Sequence, residues 1–183
     1  MSTRIQSGTY QIDATHSAVE FAVKHLMIST VKGRFTDVKG TLELPESGDA
    51  TVDITIAAKS ITTGVEARDT HLKSADFFDA EKFPELRYVS TSATRHGDGW
   101  RLEGNLTMHG VTLPVTLAVT EEGAGVDPWG NQKVAFNATG KINRTHFGLT
   151  WNAALETGGV LVGEEVKISI DAQLVKLAAK AAA

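Results

Sequence analysis

The sequence lacks several features that would place it in a familiar functional class. It contains no cysteine, which excludes disulfide bonds, thiolate metal ligands and cysteine nucleophiles. It has no apolar run of the roughly 18 residues that a membrane-spanning helix needs. The formal net charge is only −4, so no excess of basic residues predicts binding to nucleic acid or to an anionic membrane surface.

The two ends of the chain carry little structural signal. The opening stretch MSTRIQSGTYQIDATHS contains one basic residue and no apolar segment, so it does not resemble a secretory signal and we predict a cytoplasmic protein. The sequence does not decide whether a secretory signal was removed from a longer form of the protein. Residues 1–176 show no repeat or linker and predict one domain, whereas the Ala- and Lys-rich residues 177–183 predict a disordered tail.

Alternation of apolar and polar residues is the dominant pattern and predicts strands with one buried face. It runs through 19–27, 51–58, 100–108, 112–119, 134–142 and 166–174, after a short strand at Tyr10 and Ile12. Tight turns at Gly97-Asp98-Gly99 and His109-Gly110 join neighbouring strands, and 46–49 and 122–125 predict longer loops. Short connections imply antiparallel neighbours. We therefore predict an all-β fold of about eight antiparallel strands, in a sandwich or a closed barrel.

One segment departs from the alternation. Residues 67–75 have no period of two, and Arg68 to Lys73 predict a short helix. Phe77, Phe78 and Phe83 follow before Pro84 ends the segment. An aromatic-rich helix and loop between strands is suited to covering one end of a barrel.

Two features favour a barrel with a cavity over a sandwich. Gly33, Gly104 and Gly140 fall on the inward phase of their strands, where glycine often marks a bend or a close approach. His25, Ser90 and Ser92 also fall on that phase, although a tight core prefers larger apolar side chains. A lone histidine such as His25 is more often a hydrogen-bonded core residue than a ligand, and we expect a partner such as Ser90 or a water molecule.

The polar residues predict no metal site and no catalytic triad. None of the six histidines has the spacing of a metal-binding motif. Asp13, His16 and Ser17 are too close in sequence for a triad, and a turn held by the Asp13 side chain is the simpler interpretation. Arg68 and His71 are neighbours on a helix face. They are suited either to a ligand head group or to fastening the helix at the barrel rim.

The sequence resembles the YceI-like, polyisoprenoid-binding family. The resemblance rests on DATHSAVEFAVKHLMISTVKGRF (13–35), SITTGVEARDTHLKSADFFDAEKFPEL (60–86), GNLTMHGVTLPVTL (104–117), INRTHFGL (142–149) and VGEEVKISI (162–170), in the expected order along the chain. It implies an extended, lipocalin-like antiparallel barrel with a long apolar pore that holds isoprenoid chains or fatty-acid derivatives. The family has no agreed catalytic residues, so the resemblance implies none, and it implies no cofactor.

The motifs and the alternation together predict the residues that face a bound lipid. They lie on inward strand positions or on the helix and loop that cover one end. These residues are Val19, Phe21, Val23, His25, Met27, Phe35, Val52, Ile54, Ile56, Arg68, His71, Phe77, Phe78, Leu86, Tyr88, Ser90, Phe136, Ile168 and Ile170.

The sequence leaves three functions open. The first, which we favour, is a protein that binds, and carries or stores, a long apolar lipid such as a polyisoprenoid, an isoprenoid quinone or a fatty-acid derivative. The second is an enzyme that acts on such a lipid with His25 or His71 as acid or base. The third is a stress-response interaction protein with an incidental cavity. We expect no nucleic-acid partner, and the sequence does not decide whether the protein forms a homodimer.

Overall fold

The computed structural model describes residues 5–156 and 158–178, and this part of the chain contains eleven β-strands and one α-helix. The strands are β1 (Gly8–Ile12), β2 (Ala18–His25), β3 (Ser29–Phe35), β4 (Val38–Leu44), β5 (Thr51–Ala57), β6 (Ile61–Thr62), β7 (Glu85–His96), β8 (Gly99–Met108), β9 (Val111–Val126), β10 (Gln132–Asn143) and β11 (Val162–Lys176). The helix α1 is Glu66–Lys73.

Eight of these strands form a closed antiparallel barrel, as predicted. The order around it is β1, β4, β5, β7, β8, β9, β10 and β11, and β11 pairs with β1 to complete the ring. In the closing pair Ile12 lies opposite Leu174. Because closure pairs every strand of the ring on both sides, it leaves no free edge in this part of the sheet.

The long strand β11 also extends the barrel beyond β1. Its first part, Val162 to Asp171, pairs with β2 instead, and β2 pairs with β3, which pairs with the short β6. The chain bends between β1 and β2. At this bend the Asp13 carboxylate accepts hydrogen bonds from the Thr15 amide and hydroxyl at 3.1 and 2.6 Å, and it lies 2.9 Å from His16 Nδ1.

That geometry confirms the prediction of a turn rather than a triad. Ser17 takes no part in the group around Asp13, because its hydroxyl donates to the Gln173 carbonyl and accepts from the Gln173 amide on β11.

Helix α1 lies at the end of the barrel next to β6, close to its predicted position. Asp69 fastens it there, because its carboxylate accepts hydrogen bonds from the Thr62 hydroxyl and from the amide and hydroxyl of Thr63 at 2.6–2.9 Å. The helix ends at the predicted Lys73 and begins at Glu66, two residues before the predicted Arg68, and the Ser74 amide and hydroxyl both donate to the His71 carbonyl.

The predicted loop at 122–125 is wrong. Strand β9 continues through these residues to Val126. Ala135 pairs with Gly123 whereas the next residue, Phe136, pairs with Glu121, so the strand absorbs one additional residue as a bulge. Glycines in a strand suit such an irregularity, which explains why a glycine-rich stretch is compatible with strand here.

The predicted tail begins while the chain is still hydrogen-bonded. The Leu177 amide donates to the Thr9 carbonyl at 2.8 Å, so the pairing with the first strand extends to this residue. Residues 179–183 of that tail lie outside the described residues.

Candidate functional site: the barrel cavity

A cavity of about 1070 Å³ occupies the interior of the barrel. Its volume is slightly above the range of small-molecule pockets, which is about 300–1,000 Å³. It extends along much of β11, from Val162 to Leu174, and this fifteen-residue strand is about 50 Å long at the usual rise per residue. The space is therefore elongated, which suits a chain-like ligand better than a compact one.

Most of the wall is apolar because each strand turns its alternate apolar residues inward. Every residue predicted to face a ligand lines the cavity except Met27 and Ser90. The residues on the wall are Val19, Phe21, Val23, His25, Phe35, Val52, Ile54, Ile56, Arg68, His71, Phe77, Phe78, Leu86, Tyr88, Phe136, Ile168 and Ile170.

Met27 and Ser90 lie elsewhere for local reasons. Met27 is in the turn that joins β2 to β3, beyond the point at which the strand alternation ends, and its side chain is 61% exposed. The register of β7 shifts between Ser90 and Ser92, and the Ser90 hydroxyl accepts a hydrogen bond from the Val52 amide at 2.8 Å. Ser90 therefore is not the partner expected for His25.

The inward glycines accommodate neighbouring side chains rather than open space. A Cβ atom on Gly140 would lie 2.6 Å from Cδ2 of Leu117. The rings of Phe21 and Tyr88 fill the corresponding positions at Gly33 and Gly104. The glycines make room for large apolar side chains that lie across the sheet, and they do not create the cavity. The cavity results from the closure of the barrel.

The sequence-based set omits part of the wall. Strands β8 and β9 contribute Trp100, Leu102, Leu106, Met108, Val115, Leu117 and Val119. Their alternation was visible in the sequence, so extending the same criterion to these strands would have found them. Trp151 also lines the cavity, but it lies in an irregular segment between β10 and β11, where no periodicity indicates which side chains point inward.

One end of the cavity, which we call the basic end, collects positively charged and imidazole side chains. Its lining polar residues are Lys24, His25, Arg68, His71 and Arg144. Contacts connect the elements that carry them: the His71 ring packs against Trp151 with centroids 4.7 Å apart, and Arg144 donates to the Trp151 carbonyl at 3.0 Å. Arg144 also donates to the Val162 carbonyl, and Val162 pairs with His25.

Arg144 carries a charge into this end, and no carboxylate among the described residues accepts a hydrogen bond from it. Its guanidinium donates to the backbone carbonyls of Gly163, Leu149, Trp151 and Val162 at 2.6–3.2 Å, and the residue is 4% exposed. Burial lowers the pKa of Arg144 below its ordinary value, against a smaller opposing effect of Glu164. An arginine still keeps its charge at neutral pH, so this end presents a positive potential to the cavity.

The two interpretations of Arg68 and His71 are both partly met. Each residue lines the cavity, as a head-group ligand would. Each is also held by a neighbour: Arg68 Nε donates to the Thr63 hydroxyl at 2.7 Å, and His71 Nε2 lies 2.8 Å from Asp76 Oδ2. The ring of His71 packs edge-on against Phe77 and Trp151.

The opposite end, which we call the acidic end, has the reverse charge. There Glu46, Asp49 and Glu121 line the cavity with Arg95. The Arg95 guanidinium lies over the ring of Trp100, 4.3 Å from its centroid. Glu20 also lines the cavity, opposite Ser169 in the middle of β11. The two ends nevertheless differ in charge, so the cavity is electrically polarised along its length, although the net charge of the chain is small.

Two features are absent from the described residues, 5–156 and 158–178. No group of three or more histidine, aspartate or glutamate side chains is arranged to hold a metal ion. Within the same ranges, no helix has the length and apolar character required to cross a membrane.

Comparison with known proteins identifies the family. A model of the YceI-like domain matches residues 10–174, nearly the whole chain. The chain belongs to the YceI-like family. A UPF0312 protein from Staphylococcus aureus is 38% identical over 167 residues, which are 90% of this chain and 95% of that protein. Protein YceI of Salmonella newport is 41% identical over 148 residues, 79% of this chain and 78% of its own length.

Solved structures share this YceI-like fold. BcnA from Burkholderia cenocepacia superimposes with a TM-score of 0.77 at 23% identity, over 88% of this chain and 98% of BcnA. A polyisoprenoid binding domain from Saccharophagus degradans gives 0.68 at 15% identity, over 94% of this chain and 100% of that domain. The YceI protein of Campylobacter jejuni gives 0.71 at 27% identity, over 85% of this chain and 90% of that chain. These likenesses support the YceI-like barrel architecture.

Proposed function

We propose that this YceI-like protein binds a long apolar lipid inside its barrel, with the chain along the apolar wall and a polar head at the basic end. The class we favour is a polyisoprenoid, an isoprenoid quinone or a fatty-acid derivative. The observation that carries the proposal is the elongated cavity of about 1070 Å³ with its apolar lining. The structural likeness to a polyisoprenoid binding domain supports the same class.

The energetics of such binding need no specific polar contact along the chain. Each buried CH₂ group contributes about 0.8 kcal/mol, so a chain of ten or more carbons gains useful affinity from contact with the wall alone. Such a wall selects the length and girth of a ligand. The charge difference between the two ends then orients an anionic or strongly polar head toward Arg68 and His71.

A binding role without catalysis and without a cofactor fits the polar groups best. The donors of Arg144 point to backbone carbonyls, and Arg68 donates to Thr63, so these side chains have structural partners. One observation favours an enzyme as the second candidate: His71 and Asp76 form a pair like that of a general base and its orienting carboxylate. Loss of lipid turnover in His71→Gln, with lipid binding retained, would support that alternative. A cytoplasmic location remains a prediction, and whether the protein forms a homodimer stays open.

The test compares two tryptophan substitutions at adjacent residues of β10. Ala138 is buried and lines the cavity, whereas Thr139 is exposed on the outside of the barrel. Mass spectrometry of an organic extract of the purified parent protein identifies bound lipid, and titration with farnesol or a fluorescent fatty acid measures binding. We expect Ala138→Trp to weaken binding at least about tenfold, since it fills the space of several CH₂ groups, and Thr139→Trp to leave binding unchanged.

Circular dichroism and urea unfolding would establish that both variants remain folded. If folded Ala138→Trp binds as tightly as the parent, the cavity is not the binding site. If Ala138→Trp does not fold, the smaller Ala138→Leu, with Thr139→Leu as its control, repeats the comparison.

A further inference from the structure

The turn between β2 and β3 exposes apolar side chains where a polar turn would be expected. Met27 is 61% exposed and Ile28 is 81% exposed. Val160 lies close to this turn, because the Leu26 amide donates to the carbonyl of Leu161, the residue after Val160, at 2.8 Å. The Val160 side chain is also exposed. We call Met27, Ile28 and Val160 the apolar tip. Because these three apolar side chains are exposed to solvent, they contribute little to the stability of the barrel.

The backbone of this turn is strained at Met27 and at the residue before it. Leu26 and Met27 have φ angles of +53° and +60°, in the left-handed region that disfavours side chains with a Cβ atom. Hairpin turns with two such positions normally use Asn and Gly. A large exposed Met at this position costs stability and brings no packing in return, and violations of this kind concentrate at functional sites.

The apolar tip adjoins the basic end of the cavity. Lys24 and His25, the last residues of β2, precede the turn and line the cavity, and Leu161 lines it as well. Asp76 pairs with His71, Glu165 pairs with Lys141, and Glu164 accepts a hydrogen bond from Asn143, while Glu156 is exposed between the paired residues Ala154 and Val160. None of these four acids lines the cavity, so it is the cavity rim beside the tip that carries positive charge, although the net charge of the whole chain predicts no attraction to anionic lipid.

The acidic end offers a useful contrast. It too exposes apolar side chains, Val126 at 62% at the end of β9 and Trp129 at 83% in the turn between β9 and β10. The cavity rim there carries Glu46, Asp49 and Glu121, which an anionic surface would repel. Charge thus distinguishes two ends that are similar in apolar exposure.

We propose that the apolar tip inserts into the surface of an anionic lipid bilayer and holds the basic end of the cavity against the membrane. The proposal rests on the proposed function, since a long apolar lipid partitions into bilayers and a protein that binds such a lipid would exchange it there. Shallow insertion of a few apolar side chains, with basic groups beside them, is enough for reversible membrane binding. The tip is too small to provide the roughly 1,000 Å² of a stable protein interface.

The test measures binding to vesicles of phosphatidylcholine mixed with phosphatidylglycerol, and to vesicles of phosphatidylcholine alone, by co-sedimentation. The test variant is Met27→Asn/Ile28→Ser, in which Asn tolerates the left-handed backbone. The matched control is Val126→Ser/Trp129→Ser, which removes a similar apolar area from the acidic end. We expect the test variant to partition at least about tenfold more weakly into the mixed vesicles, and the control to behave as the parent. The parent should bind mixed vesicles more tightly than phosphatidylcholine alone.

Binding of farnesol in the absence of vesicles separates this proposal from the proposed function. Unchanged farnesol binding together with lost vesicle binding in the test variant supports docking by the apolar tip. Vesicle binding that is absent in the parent, or equal in parent and test variant, overturns docking whether or not the cavity binds farnesol. Self-association of the parent that the test variant abolishes, without any vesicle binding, would also overturn it and would assign the tip to a second copy of this chain. If the parent fails to bind farnesol yet binds vesicles through the tip, only the proposed function fails.

Discussion

The ring of Tyr88 on β7 lies across the backbone of Gly104 on β8, in the space that a side chain at residue 104 would need. The Tyr88 hydroxyl lies 3.3 Å from the Leu102 carbonyl oxygen and 3.2 Å from that of Val115. Burial raises the pKa of Tyr88 to about 12, so the phenol remains protonated and can donate. A polar atom inside the apolar wall is thereby satisfied, and the ring presents an apolar face to the cavity.

The first prediction follows from this contact. A Cβ atom on Gly104 would lie 2.5 Å from Cζ of Tyr88 and 2.6 Å from the Val89 carbonyl oxygen. Gly104→Ala should therefore lower the free energy of unfolding by about 1–3 kcal/mol, because neither the ring nor the strand moves without loss. Urea unfolding measures the change. Gly125→Ala on β9 is the control, since nothing lies within 4 Å of its Cβ position, and equal destabilisation in both variants would contradict this explanation.

The second prediction concerns Asp13 and acid. Hydrogen bonds from Thr15 foremost, then from His16 and Lys133, hold the pKa of the Asp13 carboxyl well below its ordinary value of 3.8. A lowered pKa in the folded state means that the carboxylate stabilises the fold above pH 4 and loses this contribution as the pH falls further. Asp13→Asn should cost about 1–2 kcal/mol at pH 7, and the difference from the parent should shrink between pH 4 and pH 2.

Two further measurements check this interpretation of Asp13. Thr15→Val removes the 2.6 Å hydrogen bond from the hydroxyl and should raise the pKa of Asp13 toward its ordinary value, as measured by NMR titration. A constant difference between the parent and Asp13→Asn over the whole acid range would show that the charge of Asp13 does not contribute.

The third prediction concerns Arg144, whose side chain holds the irregular segment that forms the basic end. Lysine cannot reproduce the planar fork that reaches four carbonyl groups, so Arg144→Lys should lower the free energy of unfolding by about 2–4 kcal/mol. Trp151 fluorescence should change in the same variant, because Arg144 bonds to the Trp151 carbonyl. As a control, Arg101→Lys changes an exposed arginine paired with Glu103 and should cost less than about 1 kcal/mol. Similar losses in both variants would rule out the buried network as the cause.

The fourth prediction is that a substitution in the apolar tip stabilises the protein. Met27 has a left-handed backbone and an exposed side chain, so Met27→Asn should raise the free energy of unfolding by up to about 1 kcal/mol. Ile28→Ser, at a position where no strain is present, should change it little. Thermal unfolding measures both. Destabilisation by Met27→Asn would mean that the methionine packs against the folded chain.

Local pattern alone was enough to predict most of the cavity wall. Val19, Phe21 and Val23 on one strand and Ile168 and Ile170 on another were assigned to the interior because side chains alternate across a strand with a period of two. The strand assignment and the inward face therefore follow from the order of residues, without knowledge of which strands are neighbours. The same pattern failed at Ser90, where a bulge in β7 shifts the register, and at Met27, which lies past the end of its strand.

The rest depended on contacts between residues that are distant in sequence. Closure of the barrel joins Ile12 to Leu174, and only closure encloses a cavity of about 1070 Å³. The basic end is assembled from a strand end, a helix and an irregular segment, so that Lys24, His71 and Arg144 line the same end of the cavity although the net charge gives no sign of it. A sequence determines side-chain direction by local stereochemistry, whereas the position of charge in space is set by long-range packing, and for this reason only the tertiary structure revealed the polarity of the cavity.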